Sequence, residues 1–335
     1  MFQKMVSSNV LPQTKRKDVI GMKRLIVSAF LASLLAGCSE EPEAQKTKPT
    51  DVTFTQDDKT IKIIPLYDAY QSYVDAALKV PTENGALFEK YVLKENDRIR
   101  EQEQVSEQLG VYNPLDQPMN DLKHLKENVT YLQQHQTEIQ QQIKQSLQQA
   151  SKQLPRQNDL VVLVAPINSD NPVNNKRMGG LTGIALAKNL LVLYIDRDVD
   201  QSMLAYTVAH EYHHTVLLEK LGISSIADNI ISEGKADLFA KALYPDVNPP
   251  WTEPLLDHSF KHVLHEVNTY HAKFSDLQNG NSDLQIPGWS NYAIGNTIMT
   301  DFIQKNPDTS VEKWTHLPTG DILEQSGYAK QLTAQ

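Results

Sequence analysis

The chain has 335 residues, with 32 Lys and Arg against 41 Asp and Glu, a net charge of −9. That balance argues against nucleic acid as a partner, because phosphate backbones need a basic face. Hydrophobic residues make up 40% and supply ordinary globular cores. The one long apolar run, Leu25 to Ala36, has twelve residues, well short of the ~20 that cross a bilayer, which excludes a multi-span transporter.

Met22-Lys23-Arg24 forms a short cationic region before that run, and Leu35-Ala36-Gly37-Cys38 closes it with small residues and the chain's single cysteine. The arrangement resembles a bacterial lipoprotein signal. The resemblance implies cleavage before Cys38, acylation of Cys38 and attachment to the membrane of the bacterial cell envelope. Ser39 in the following position implies the outer membrane, facing the periplasm, in a Gram-negative cell. Residues 1–21 precede a complete signal and are an upstream extension. Export leaves no other cysteine in the mature chain, so its fold has no disulfide and no thiolate ligand.

Residues 38–60 read as the lipidated Cys38 and a flexible tether, polar and acidic, with Val52 and Phe54 as its only large apolar residues. Folding is expected from Ile61, or slightly earlier if Val52 to Phe54 pairs as a strand. In the mainly helical region 61–155, Ile61 to Ile64 is β-rich. Leu66 to Leu78 lies between Pro65 and Pro81 as a helix, and Gly85 to Gln102 is a second one. From Met119 to Leu154, apolar residues recur at steps of three, four and seven, which predicts one long amphipathic helix or two. Its Gln-rich face is solvated scaffolding.

In the region 156–335, Leu160 to Ala165 is a buried strand, and Ile184 to Leu186 with Leu190 to Ile195 form a hairpin across Lys188-Asn189. Helices follow near Asp200 to Leu221, Ser225 to Leu243, Pro254 to Lys273 and Ser290 to Lys305. Strands first and helices afterwards indicate an α+β fold, not alternating βαβ units.

The first of these helices carries His210-Glu211-Tyr212-His213-His214. His210 and His214 are four apart and project from one helical face, as two ligands of one Zn(II) require. Glu211 lies about 100 degrees round the helix, where it flanks a metal and can take a proton from water. Catalytic zinc sites usually have three protein ligands. Glu233, on the next helix, is the third candidate, and Asp237, one turn further on, can orient a ligand histidine; a surface pair with Lys241 is its bland alternative. His213 is read as a neighbour facing solvent or substrate. His258, His262, His265 and His271 lack an accompanying carboxylate pattern and read as surface or substrate-contact histidines.

The H-E-x-x-H motif with a downstream Glu resembles the gluzincin metallopeptidases, and Glu233 to Asp237 looks like the E-x-x-x-D arrangement of thermolysin-like enzymes. His-Glu-Tyr-His-His with Glu-Gly-Lys-Ala-Asp resembles, more specifically, an uncharacterised bacterial family of predicted zinc-dependent proteases. The likeness runs from about Gly179 to Tyr328 and includes Asn291 to Gly295 and Leu323 to Tyr328. It implies a zincin-like fold, with a small β-sheet packed on the active-site helix and mostly helix elsewhere. It also implies one Zn(II) per chain, held by His210, His214 and Glu233, and hydrolysis of a peptide or protein substrate with Glu211 as general base. An edge strand beside the metal commonly holds the peptide in such enzymes; Gly180 to Ala185 is the candidate, or else a plain hairpin arm. Tyr292 is the candidate donor to the oxyanion. Two alternatives stay open: a non-catalytic binding lipoprotein on the same scaffold, and a zinc amidase acting on cell-wall peptide.

Overall fold

A computed structural model of the chain describes residues 50–105, 116–170 and 178–333; the signal region and Cys38 lie outside them. Two strands open the fold, β1 (Val52–Gln56) and β2 (Lys59–Pro65). Asp57 and Asp58 join them in a two-residue turn, both with positive φ, the twist that suits a tight hairpin. The sheet therefore starts at Val52, inside the stretch expected as tether to residue 60. Alternation explains the pairing: Ile61 and Ile63 are buried in the core while Lys62 stays at the surface side of the strand.

Helices α1 (Tyr67–Ala77), α2 (Asn84–Phe88), α3 (Lys94–Gln102), α4 (Leu122–Gln134) and α5 (Gln136–Gln153) follow. The helix expected over 85–102 is interrupted by a π turn at Glu89–Leu93. The long amphipathic stretch is two helices, broken at His135, whose ring stacks on Tyr131. Three further strands, β3 (Leu160–Pro166), β4 (Leu181–Ala187) and β5 (Leu190–Ile195), complete one sheet of order β1-β2-β3-β5-β4.

The two hairpins are antiparallel, but β2 with β3 and β3 with β5 run parallel. The stretches on either side of residue 155 thus share a sheet, with α1 to α5 as the crossover from β2 to β3. The fold is α+β around a small mixed sheet. Its central strand β3 is buried at every position, as a strand covered on both faces should be. Leu160, Val162 and Val164 enter one core; Val161, Leu163 and Ala165 enter the other.

After the sheet come α6 (Gln201–Leu217), α7 (Ile226–Leu243), α8 (Asp257–Asn268), α9 (Phe274–Asn279), α10 (Ser290–Lys305), α11 (Val311–Thr315) and α12 (Thr319–Ser326). Asp200 caps α6 by accepting from the Ser202 and Met203 N–H groups at 2.8 and 3.1 Å. Buried Arg156 donates to Thr215 of α6 and to the Lys188 carbonyl between β4 and β5, fastening helix to hairpin. Helices α7 and α10 meet backbone to backbone, because a Cβ on Gly234 or Gly295 would collide with main-chain atoms of the other helix. Among the described residues no helix is long and apolar enough to cross a membrane.

Candidate metal centre

Helix α6 is buried over nearly its whole circumference from Met203 onward. One face meets β4, another α5, and a third α7, so polar residues on it are sealed from water unless they have a purpose. His210 and His214 project toward α7, where Glu233 meets them. His210 Nε2 and His214 Nε2 are 3.0 Å apart and lie 3.2 and 3.3 Å from Glu233 Oε2. All three residues are buried, and they are the one group among the described residues whose ligand atoms cluster as a metal site requires.

These atoms fit Zn(II) in size and in charge. Bonds of 2.0–2.1 Å at tetrahedral angles place neighbouring ligand atoms ~3.3 Å apart, close to the three separations observed. Both Nδ1 atoms already have partners: His210 Nδ1 faces Asp237 Oδ1 at 2.9 Å and His214 Nδ1 faces Ser232 Oγ at 3.0 Å. The Asp237 contact puts the His210 proton on Nδ1 and leaves Nε2 free to ligate. Three carboxylates, Glu211, Glu233 and Asp237, are buried here, and no Lys or Arg forms an ion pair with them among the described residues. A divalent cation would supply the missing positive charge.

The carboxylates are individually held. Asp237, 1% exposed, accepts at Oδ1 from Tyr206 (2.9 Å) and Trp251 (3.1 Å) besides facing His210, and at Oδ2 from Asn296 (3.0 Å). Lys241 is not its partner; it donates to Val247 O and Asn248 Oδ1. Glu233 turns Oε2 toward the histidines, while Oε1 accepts from Asn229 Nδ2 at 3.2 Å, and Asn229 is held in turn by Asn291 Nδ2 at 3.0 Å. Burial pushes the Glu233 carboxyl upward, but His214 and His210 outweigh it and hold the group at about 2. Burial likewise disfavours a charged His210, yet Asp237, Glu233 and Glu211 raise it well above the ordinary imidazole range, so these carboxylates favour a positive charge at His210 Nε2, where a metal would take the place of the proton.

Glu211 faces a different neighbour. Its Oε2 accepts from the Ala185 N–H of β4 at 2.9 Å, and its Cγ occupies the space a side chain at Gly183 would need. The glycine thus lets the carboxylate sit against the strand. Burial raises the Glu211 pKa; His210 and His214 pull it back, and the Ala185 N–H helps them. Strand β4 is the sheet's edge and covers Leu181–Ala187 in place of the expected 180–185. Gly179 and Gly180 lie before it, at φ 74° each, and Gly183 is the glycine that permits close approach.

Tyr292, at the start of α10, stands with its ring centre 6.2 Å from that of His210. Burial and then Glu233, Glu211 and Asp237 raise its pKa well above the usual phenol range, so it stays a neutral donor. It lines a recess of about 360 Å³ with Glu211, His214, Glu233 and residues 182–185 of β4.

One expectation about this region needs correction. His213 faces neither solvent nor substrate: it is fully buried, its ring stacks on Trp314 with centroids 5.4 Å apart, and its Nε2 lies 3.1 Å from Thr315 Oγ1. Burial drives its pKa well down, so it packs as a neutral ring. Sequence reasoning missed Asn229, Asn291, Trp251 and Asn296; of these only Asn229 had a spacing signal, one helical turn before Glu233. His258, His265 and His271 are exposed and His262 faces the Leu284 carbonyl, in keeping with surface histidines.

No curated protein and no solved structure matches the chain. Residues 139–324, more than half of its length, match the family described as predicted Zn-dependent protease (DUF2268), and the chain belongs to that family.

Proposed function

We propose that this protein is a lipid-anchored zinc peptidase of the bacterial cell envelope, with one Zn(II) per chain, that hydrolyses peptide bonds. The observation that carries the reading is the meeting of His210, His214 and Glu233 beside a separately held Glu211, at a recess along an edge strand. When bound, the metal supplies Lewis-acid polarisation of the scissile carbonyl and acidifies water. Glu211, fixed by the Ala185 N–H, takes the proton from the attacking water and returns it to the leaving nitrogen.

An extended peptide lies along the outer edge of β4. The Ala185 N–H points away from β5 toward Glu211, and by the two-residue period of a strand the main chain of Gly183 faces the same way, open to hydrogen bonding with substrate. Tyr292 donates to the substrate oxygen that gains negative charge as water adds. Acylation at Cys38 ties the enzyme to the membrane, and the thirteen residues Ser39 to Asp51 allow the fold a reach of at most ~45 Å from the lipid.

The test is hydrolysis of denatured casein by the purified, zinc-loaded protein. Chelation should stop it and zinc restore it, and Glu211→Gln should keep zinc while lowering turnover by at least ~10²-fold. Turnover retained in that variant removes Glu211 from its role. Release of peptide from peptidoglycan without casein cleavage would make the enzyme a cell-wall amidase. Neither activity from a fully zinc-loaded chain would leave a binding lipoprotein.

A further inference from the structure

The recess beside the metal triad has few charged groups in its lining. Its charged lining residues are Glu211 and Glu233, and both are engaged, Glu233 by the histidines and Asn229 and Glu211 by the Ala185 N–H. Beyond them the walls are Leu218, Ile223, Phe274 and Ile184, with Gln278 among them. Ile223 belongs to the segment between α6 and α7, and Phe274 begins α9; these distant stretches converge on one opening. The two side chains are 42% and 44% exposed, among the few large apolar residues left in water in the described chain. Water on such surfaces is unfavourable, and a ligand that covers both gains by displacing it.

We propose that this recess is a specificity subsite for a large apolar side chain. It would make the protein's substrates peptides with Leu, Phe or a similar residue next to the scissile bond, an assignment that rests on the peptidase reading. A Lys or Arg side chain finds only two carboxylates, Glu233 turned to the histidines and Glu211 reserved for the attacking water, and an Asp or Glu meets both with no Lys or Arg in the lining. Ile223 and Phe274 act as the two jaws, and β4 holds the peptide main chain so that one side chain drops between them.

The experiment uses the full chain and the peptides acetyl-Gly-Gly-Xaa-Gly-Gly-amide, with Xaa as Leu, Phe, Ala, Asp or Lys, each carrying a fluorophore. Binding is read by anisotropy on zinc-loaded Glu211→Gln protein. The Leu and Phe peptides should bind on the order of 10- to 100-fold more tightly than the other three. In the same background, Ile223→Ser with Phe274→Ser should erase that preference at unchanged zinc content; both side chains are substantially exposed, and the zinc content reports an intact centre.

Equal affinity for all five peptides, no measurable binding of any, or a preference that survives the double substitution would overturn the subsite. Hydrolysis of the same peptides by the unmodified protein separates the two claims. Cleavage without an apolar preference removes the subsite and keeps the peptidase, whereas apolar-selective binding without any cleavage keeps the subsite and removes the peptidase.

Discussion

The two faces of the sheet bury different chemistry. Against Val161, Leu163 and Ala165, helices α1 to α4 pack Tyr70, Tyr73, Phe88, Leu125 and Val129, with Tyr73 and Phe88 edge to face at 5.2 Å. Against Leu160, Val162 and Val164 lie α5 and α6, and on α6 and α7 are buried His210, Glu211, His213, His214, Glu233, Lys235 and Asp237. One face is a plain apolar core; the other encloses titratable groups whose desolvation cost must be offset. Lys235 shows how: burial lowers its pKa to about 7, and its ammonium donates to the Thr315 and Leu317 carbonyls, tying α7 to the C-terminal segment. The difference separates a supporting face from a working one within one sheet.

The largest effect should come from removing a ligand on the working face. His214→Ala or Glu233→Ala leaves the remaining pair without its third atom, and zinc affinity should fall by several orders of magnitude, read by elemental analysis after dialysis. Adding zinc at ~1,000 times its dissociation constant to the metal-free parent should stabilise it by ~4 kcal/mol, and this rise in Tm should vanish in either variant. Stoichiometric zinc in both would dissolve the distinction between the faces.

Next in size is a change on the supporting face. Leu125 is fully buried in the apolar cluster, so Leu125→Ala should cost about 2–5 kcal/mol in denaturant unfolding while zinc stoichiometry stays at the parent value. Loss of zinc at temperatures where this variant is folded would show that the faces are not independent.

How much of this was legible follows from whether a feature is local. His210, Glu211 and His214 are one helical turn, and Glu233 with Asp237 another, so spacing alone placed each set on one face. The β4–β5 hairpin was equally local. The parallel pairing of β2 with β3 was not, because nearly a hundred positions of the chain separate partners such as Ile61 and Leu160, and nothing in either strand names its neighbour. His213 was misread because α6 is covered on all sides, so position on the helix does not predict exposure. Trp251 and Asn296 reach Asp237 only through the crossing of α7 with α10 and the turn after α7, which no sequence period encodes.

Those unforeseen partners give a smaller, sharper test. Asp237 gathers Tyr206, Trp251, Asn296 and His210, and Asp237→Asn keeps the shape while removing the charge that fixes the His210 tautomer. Zinc affinity should fall by roughly 10- to 100-fold in a chelator competition, without the stability loss of Leu125→Ala. An unchanged affinity would reduce Asp237 to a packing role.

The smallest effect belongs to the border of the working face, where α7 begins. Ser225 Oγ accepts from the Asp228 N–H at 3.0 Å, Asp228 Oδ2 accepts from the Ser225 N–H at 3.1 Å, and Thr319 donates to Asp228 Oδ1 at 2.6 Å. Burial raises the Asp228 pKa, but the hydrogen bonds from Thr319, Ser224 and Ser225 outweigh it and lower it below its ordinary 3.8. A carboxyl lowered on folding contributes stability above its unfolded pKa, and that contribution disappears as pH falls through the folded value. Asp228→Ala should therefore cost about 0.5–2 kcal/mol near neutral pH, and the gap to the parent should narrow as pH falls below about 4. A gap that stays constant across that range would mean the box holds α7 by shape and not by charge, with Glu233 and Asn229 left in register by the α7–α10 contact alone.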